Sequence, residues 1–156
     1  MVKSKSNSRL FSINQVVLTQ TDTTVGFLSQ NDTKLREIKS RDTSKPFIKV
    51  FANFKDLTLS GHRIPKSKKS FVRRSKKTTF IVKNTAFRIS PQHLSSQLLR
   101  NARWNFSTSA NESGKKFAFD FCEDKADIII QDKYGLKENS ASTLLKINDT
   151  KIVRIR

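Results

Sequence analysis

The chain has 156 residues and carries 31 Lys and Arg against 13 Asp and Glu, a formal net charge of +18. That length suits one domain around one core, and the charge surplus points to a polyanionic partner, nucleic acid ahead of an anionic membrane surface because no amphipathic membrane helix is evident. No apolar run nears the ~20 residues that span a bilayer, residues 1–9 lack the apolar stretch of a secretory signal, and the single cysteine, Cys122, excludes an intramolecular disulfide and a cysteine-cluster zinc site; a cytoplasmic protein with no membrane association is expected, with Cys122 as a small buried hydrophobe.

In chain order, residues 1–13 read as a frayed or disordered basic arm before one domain spanning 14–156. Val16-Val17-Leu18 reads as a buried strand, and residues 19–23 as the polar turn after it. Asn31-Asp32-Thr33 can cap a helix whose apolar face carries Leu35 and Ile38. That helix must stop before Pro46, because the residue preceding a proline disfavours the helical region. Residues 47–51 are strand-like. From Arg63 to Lys77 there are eight basic residues and no acid; the interleaved Ile64, Phe71 and Val72 imply that part of this strip is anchored on the domain.

Residues 78–82 form a β run and 86–89 a second. Ser90-Pro91 starts a helix, with Ser as cap and Pro at the first helical position, and Leu94, Leu98 and Ala102 fall on one face. Residues 104–106 predict a short strand, the spacing of Phe117, Ala118, Phe121 and Cys122 a helix, residues 126–130 a strand, and 143–147 and 152–155 two final strands. This loose alternation gives an α/β or α+β fold, a single domain with one twisted mixed β-sheet flanked by helices. Phe occurs 12 times, enough to fill its core. His62 is expected in a loop, His93 on the first turn of a helix, and Trp104 in the core.

Only four glycines occur, and neither G-x-x-x-x-G-K nor G-x-G-x-x-G is present, so any phosphate must be held by side chains and helix ends. Four polar groups could do so. Thr21-Asp22-Thr23-Thr24-Val25-Gly26 is a hydroxyl-rich turn at a strand end. Lys39 and Arg41 can converge where a helix unwinds. Ser107-Thr108-Ser109-Ala110-Asn111-Glu112-Ser113-Gly114 can wrap an anion. Ser142-Thr143 is followed by Arg154 in the last strand. Singly, each also fits a bland role as a capped turn, helix-dipole compensation or an ordinary loop.

Their order is more specific. T-D-T-x-x-G, K-x-R, S-T-S-A-N-x-S-G, then S-T and a terminal V-R resembles the YrdC-like family, the threonylcarbamoyl-AMP synthases, over residues 16–154. Ala86-Phe87-Arg88-Ile89-Ser90-Pro91 is similar to the family's V-R-V-P segment. Asp42 stands where the family has proline after K-x-R, Val25 replaces a tyrosine, residues 75–79 replace a P-G-P-x-T turn, and the N-terminal helix is nearly missing; the chain reads as a shortened member.

The resemblance implies a YrdC-like fold with a concave nucleotide-binding face. It also implies a nucleotidyltransferase that joins L-threonine, bicarbonate and ATP into threonylcarbamoyl-AMP for the threonylcarbamoyladenosine modification of tRNA. Lys39, Arg41, Ser109 and Asn111 would be the catalytic group, neutralising and positioning the triphosphate. Thr21 and Thr23 would line the threonine end and Arg88 would pair a carboxylate, while Lys45, Thr79, Ser107, Ser142 and Arg154 complete the substrate and ATP site. Magnesium would arrive with ATP, and no residue is assigned to a metal. The tRNA threonylcarbamoyl transferase machinery is an implied partner. Charge alone makes Lys68, Lys69, Arg73, Arg74, Lys76 and Lys77 the RNA-binding candidates. The alternative is a non-catalytic module of the same fold that binds tRNA or double-stranded RNA; the intact K-x-R and S-x-N pairs favour the enzyme.

Overall fold

A computed structural model describes residues 2–4, 14–40, 46–90 and 102–156. Ten strands among them join one mixed sheet in the order β1-β8-β2-β3-β7-β4-β6-β5-β9-β10. The strands are β1 (Val2–Ser4), β2 (Val17–Gln20), β3 (Val25–Ser29), β4 (Ile48–Phe51), β5 (Thr78–Val82), β6 (Thr85–Ile89), β7 (Trp104–Ser109), β8 (Ile128–Ile130), β9 (Thr143–Ile147) and β10 (Ile152–Arg154). Three pairings are parallel, β2 with β8, β4 with β6, and β5 with β9; the rest are antiparallel. Four described helices accompany the sheet: α1 (Asp32–Lys39), α2 (Phe54–Leu59), α3 (Lys69–Arg74) and α4 (Phe119–Lys125). None is long and apolar enough to cross a membrane.

Strand alternation sorts the side chains onto two faces. Phe47, just before β4, and Lys49 and Phe51 within it share a face with Phe106 and Trp104 of β7, their register partners or neighbours. That face carries the helices. Leu35 of α1 and Cys122 of α4 pack with Leu18, Phe27 and Phe47, while Leu57 of α2 and Val72 of α3 pack with Phe51, Phe80, Phe87 and Ile147. Phe27, Phe51, Phe80 and Phe87 are fully buried, and burial of each contributes roughly 1.5–3 kcal/mol. The opposite face buries Val17, Leu28, Ile128 and Ile130 at one end. At the other it presents Thr79 and Arg88, a register pair between β5 and β6.

Most predicted elements form where the pattern puts them, with informative shifts. Asn31 caps α1 by accepting a hydrogen bond from the Lys34 N–H at 3.2 Å. Strand β2 runs on through Thr19 and Gln20, which pair with Gly26 and Val25, so the turn begins only at Thr21. Helix α4 begins at Phe119 because Ala118 is extended (φ −130°, ψ 119°), which leaves Phe117 packed on the core but outside the helix. Within the expected frayed arm, Val2–Ser4 instead pair antiparallel with β8 and supply hydrogen-bond partners to its outer edge. Residues 5–13 and the helix expected after Ser90, with Leu94, Leu98 and His93, lie outside the described residues.

Candidate functional site

On the sheet face away from the described helices, a cavity of about 270 Å³ is lined by Thr21, Thr23, Arg88, Ser107, Ser109 and Ser142, among others. These residues come from the β2–β3 turn, β6, β7 and the approach to β9, and the register makes them neighbours. Gly26 lies opposite Ser109 and Leu28 opposite Ser107. Thr79 lies opposite Arg88. Gly26 is needed for close approach rather than for its dihedral freedom: a Cβ there would sit 3.0 Å from the Thr108 carbonyl oxygen and 3.2 Å from Thr21 Cγ2.

The turn organises its own hydroxyls. Thr21 Oγ1 donates to the Thr24 carbonyl at 2.6 Å and accepts from the Thr23 N–H at 3.2 Å. Arg88 Nη1 donates to Thr23 Oγ1 at 2.9 Å, and its other terminal nitrogen stands 3.4 Å from Asp22 Oδ1. Burial pushes the Arg88 guanidinium below its usual pKa, and the Asp22 charge opposes that; an arginine keeps its proton regardless. Beneath the lining, Thr79 Oγ1 and Ser142 Oγ share a buried hydrogen bond of 2.8 Å.

Lys39, at the C-terminus of α1, reaches the rim. Its Nζ donates to the Ser109 carbonyl at 3.2 Å, to the Asn111 carbonyl at 2.5 Å and to Asn111 Oδ1 at 2.8 Å. Ser109 Oγ donates to the same Oδ1 at 2.7 Å, and Asn111 Nδ2 donates to the Lys115 carbonyl at 2.6 Å. Three residues of the expected catalytic group therefore form one hydrogen-bonded cluster. Helix α1 stops just there because Ser40 adopts the left-handed conformation (φ 45°) that closes a helix end. Arg41 and Lys45 lie outside the described residues.

One expected residue is misplaced. Arg154 is exposed on β10 and is not among the cavity residues; Arg156 is. The antiparallel register sets Arg154 against Leu145, two residues further from Ser142 than needed. The chain runs on, with the Leu144 N–H donating to the Arg156 carbonyl at 3.0 Å, and this brings the Arg156 side chain to the Ser142 carbonyl at 3.4 Å. Asp22 was passed over as well. Its place inside the T-D-T turn was visible, but its partner lies 66 residues away, and no local spacing reveals such a pair.

The basic strip is sorted by its fold. Val72 anchors α3 in the core, as the interleaved apolar residues suggested. Lys69, Arg73 and Arg74 lie on α3, Lys68 precedes it in a short 3-10 turn, and Lys76 and Lys77 lie in the link to β5. His62, in its loop as expected, is wedged edge-on against the rings of Phe51 and Phe87, and Trp104 packs on the same cluster.

A family model described as telomere recombination, that of Sua5, YciO and YrdC, matches residues 10–156. No curated protein sequence matches. Among solved structures, P. abyssi Sua5 complexed with L-threonine is similar with a TM-score of 0.73 and 21% identity, over 91% of this chain and 50% of that one. A doubly substituted form of P. abyssi Sua5 gives 0.76 and 20%, over 91% and 52%. E. coli YciO gives 0.71 and 16%, over 92% and 82%. The chain thus spans about half the length of the Sua5 structures it matches, and at these identities the likeness is one of fold.

Proposed function

The chain belongs to the Sua5, YciO and YrdC family, and from that membership we propose that it is an L-threonylcarbamoyladenylate synthase, forming threonylcarbamoyl-AMP from L-threonine, bicarbonate and ATP in support of tRNA modification. One observation carries the reading: hydroxyls and cations from well-separated parts of the chain line a single small cavity, with the Lys39, Ser109 and Asn111 cluster at its rim. A cavity of about 270 Å³ has room for an amino acid, leaving the nucleotide to the rim. The Arg88 fork suits a carboxylate, and Thr21, Thr23, Ser107 and Ser142 offer neutral hydrogen bonds.

In this reaction a carbamate oxygen forms a bond to the α-phosphorus of ATP, and the bond to pyrophosphate breaks. The protein's task at such a step is to neutralise and position rather than to bond covalently. Lys39 is held by three acceptors in a fixed place, and Arg41 and Lys45 follow it closely in sequence. The lining suits phosphate and carboxylate oxygens rather than a metal ion, so magnesium would arrive with the nucleotide substrate.

A second reading, a non-catalytic module of the same fold that binds RNA, is favoured by one specific feature. The Lys39 ammonium and the two terminal nitrogens of Arg88 already face protein oxygens, as a structural role would require. Pyrophosphate release from ATP decides between the readings: the synthase needs threonine and bicarbonate together, and the module releases none.

A further inference from the structure

The helix-covered face holds a second concavity. Three hollows of about 760, 720 and 300 Å³ run into one another: the first two share Thr58 and Lys69, the second and third share His62, Arg63, Val82 and Lys83. Six exposed cations line the resulting trough, Lys55, Arg63, Lys66, Lys69, Arg73 and Lys83. They come from α2, the strip before and within α3, and the β5–β6 turn. Among the described residues none of the six is in an ion pair, and Asp149 is the carboxylate among the lining residues. The floor is apolar, made by Ile64, Pro65, Val82 and Ile147.

The trough is separate from the cavity. Val82 packs on the same cluster as Phe80, whereas Thr79 and Arg88 point to the other face. Val82 and Thr85 also close the opposite end of the β5–β6 hairpin from Thr79 and Arg88, about 10 Å along the strands at ~3.3 Å per residue.

Six cations that share one lining carboxylate, Asp149, repel one another, and a ligand with repeated anions relieves that repulsion. A cationic rim above an apolar floor matches a polymer with a charged backbone and flat apolar faces, which describes an unpaired nucleic acid strand. A duplex hides its base faces, and a bilayer is flat where the trough is concave. We propose that this trough binds an unpaired RNA strand, phosphates along the rim and bases on the floor, independently of the small-molecule cavity. The choice of RNA over DNA rests on the tRNA reading of the family site; the strand-binding trough does not.

The test is binding of a fluorescent unpaired RNA of about ten nucleotides, a length within the usual range for such sites, over a salt series. Single strands lose about 0.7 log units of affinity per log unit of salt for each phosphate met, so six contacts give a slope near about −4. Combining Arg63→Glu, Lys66→Glu and Lys83→Glu should weaken binding by about tenfold or more and bring the slope to about −2. The same charge change at Lys125, Lys133 and Lys137, exposed and outside the trough, should leave slope and affinity near those of the parent. Pyrophosphate release, if the parent shows it, should persist in the trough variant. Equal losses in both variants would overturn the trough. So would tighter binding, through the same three residues, of the RNA duplex, of polyglutamate or of phosphatidylserine vesicles. An equally tight DNA strand would retain the trough and overturn its assignment to RNA, and a parent that binds the strand but releases no pyrophosphate would sink the synthase reading alone.

Discussion

Asp22 Oδ1 stands 3.4 Å from a terminal nitrogen of Arg88, with the two side chains 1% and 5% exposed. Among the described residues neither carboxylate oxygen of Asp22 has a hydrogen-bond partner, so the ion pair with Arg88 is what compensates its desolvation there. Removing one partner strands the other charge in the interior, at a cost of about 3–5 kcal/mol. Asp22→Ala should therefore lose about that much stability in urea denaturation. Replacing both, as Asp22→Leu with Arg88→Met, should recover most of it, since apolar substitutes often match a buried pair. The double variant should still fail to bind threonine. A loss under about 1 kcal/mol for Asp22→Ala would mean the guanidinium finds water instead.

Gly26→Ala tests the close approach of β3 to the turn and to β7. The added methyl meets the Thr108 carbonyl and Thr21 Cγ2, and such overpacking typically costs about 1–3 kcal/mol. The backbone oxygen cannot swing away as a side chain would, so Thr21 should be pushed into the cavity. Threonine affinity, measured calorimetrically, should fall along with stability. An unchanged affinity would show that Thr21 does not shape the ligand space.

His62 gives an acid dependence. Burial, and secondly the Lys49 charge, hold its imidazole below the usual pKa. The unfolded chain then takes up this proton at a higher pH than the folded one, so stability falls as pH drops below the ordinary histidine value of about 6.5. The loss levels off once the folded imidazole is protonated as well. His62→Gln should flatten this segment of the stability–pH curve. An unaltered curve would assign the acid sensitivity to other groups.

Much of this architecture was legible because strands advertise themselves. Val16 to Leu18, Thr78 to Val82 and Thr143 to Ile147 are β-rich runs that needed no tertiary help, and Asn31 carries its own cap signal. Helices α2 and α3 were missed. Each is six residues long, too short to show a helical period, and the lysines of α3 read as a charged strip. The Asn53-x-x-Asp56 reciprocal cap, with hydrogen bonds of 2.9 Å in each direction, was the available signal for α2. The site was legible through motif order rather than pattern. What sequence could not supply was long-range pairing: Asp22 with Arg88, Arg156 with Ser142, and the meeting of Lys55, Lys69 and Lys83 in one trough.

Lys39→Met at the rim and Arg41→Ala, two residues on in the sequence, test the proposed catalytic charges. Loss of a positioned charge at a phosphoryl transition state typically costs 10²-fold or more in turnover, about 3 kcal/mol. Arg41→Lys should be nearly as poor, because a point charge does not replace a fork. Lys39→Met should also loosen Asn111, which loses one of its partners. Near-normal turnover in these variants would place the catalytic charge elsewhere.

If the cavity makes threonylcarbamoyl-AMP, as proposed, the chain releases pyrophosphate when it does so. The direct measurement is pyrophosphate release from ATP by the purified chain, with threonine and bicarbonate supplied separately and together. Release is expected only when both are present, abolished by Arg88→Met and retained when Arg63, Lys66 and Lys83 are reversed to Glu. Release that ignores threonine, or no release under any combination, would contradict it and leave the family fold as a binding module.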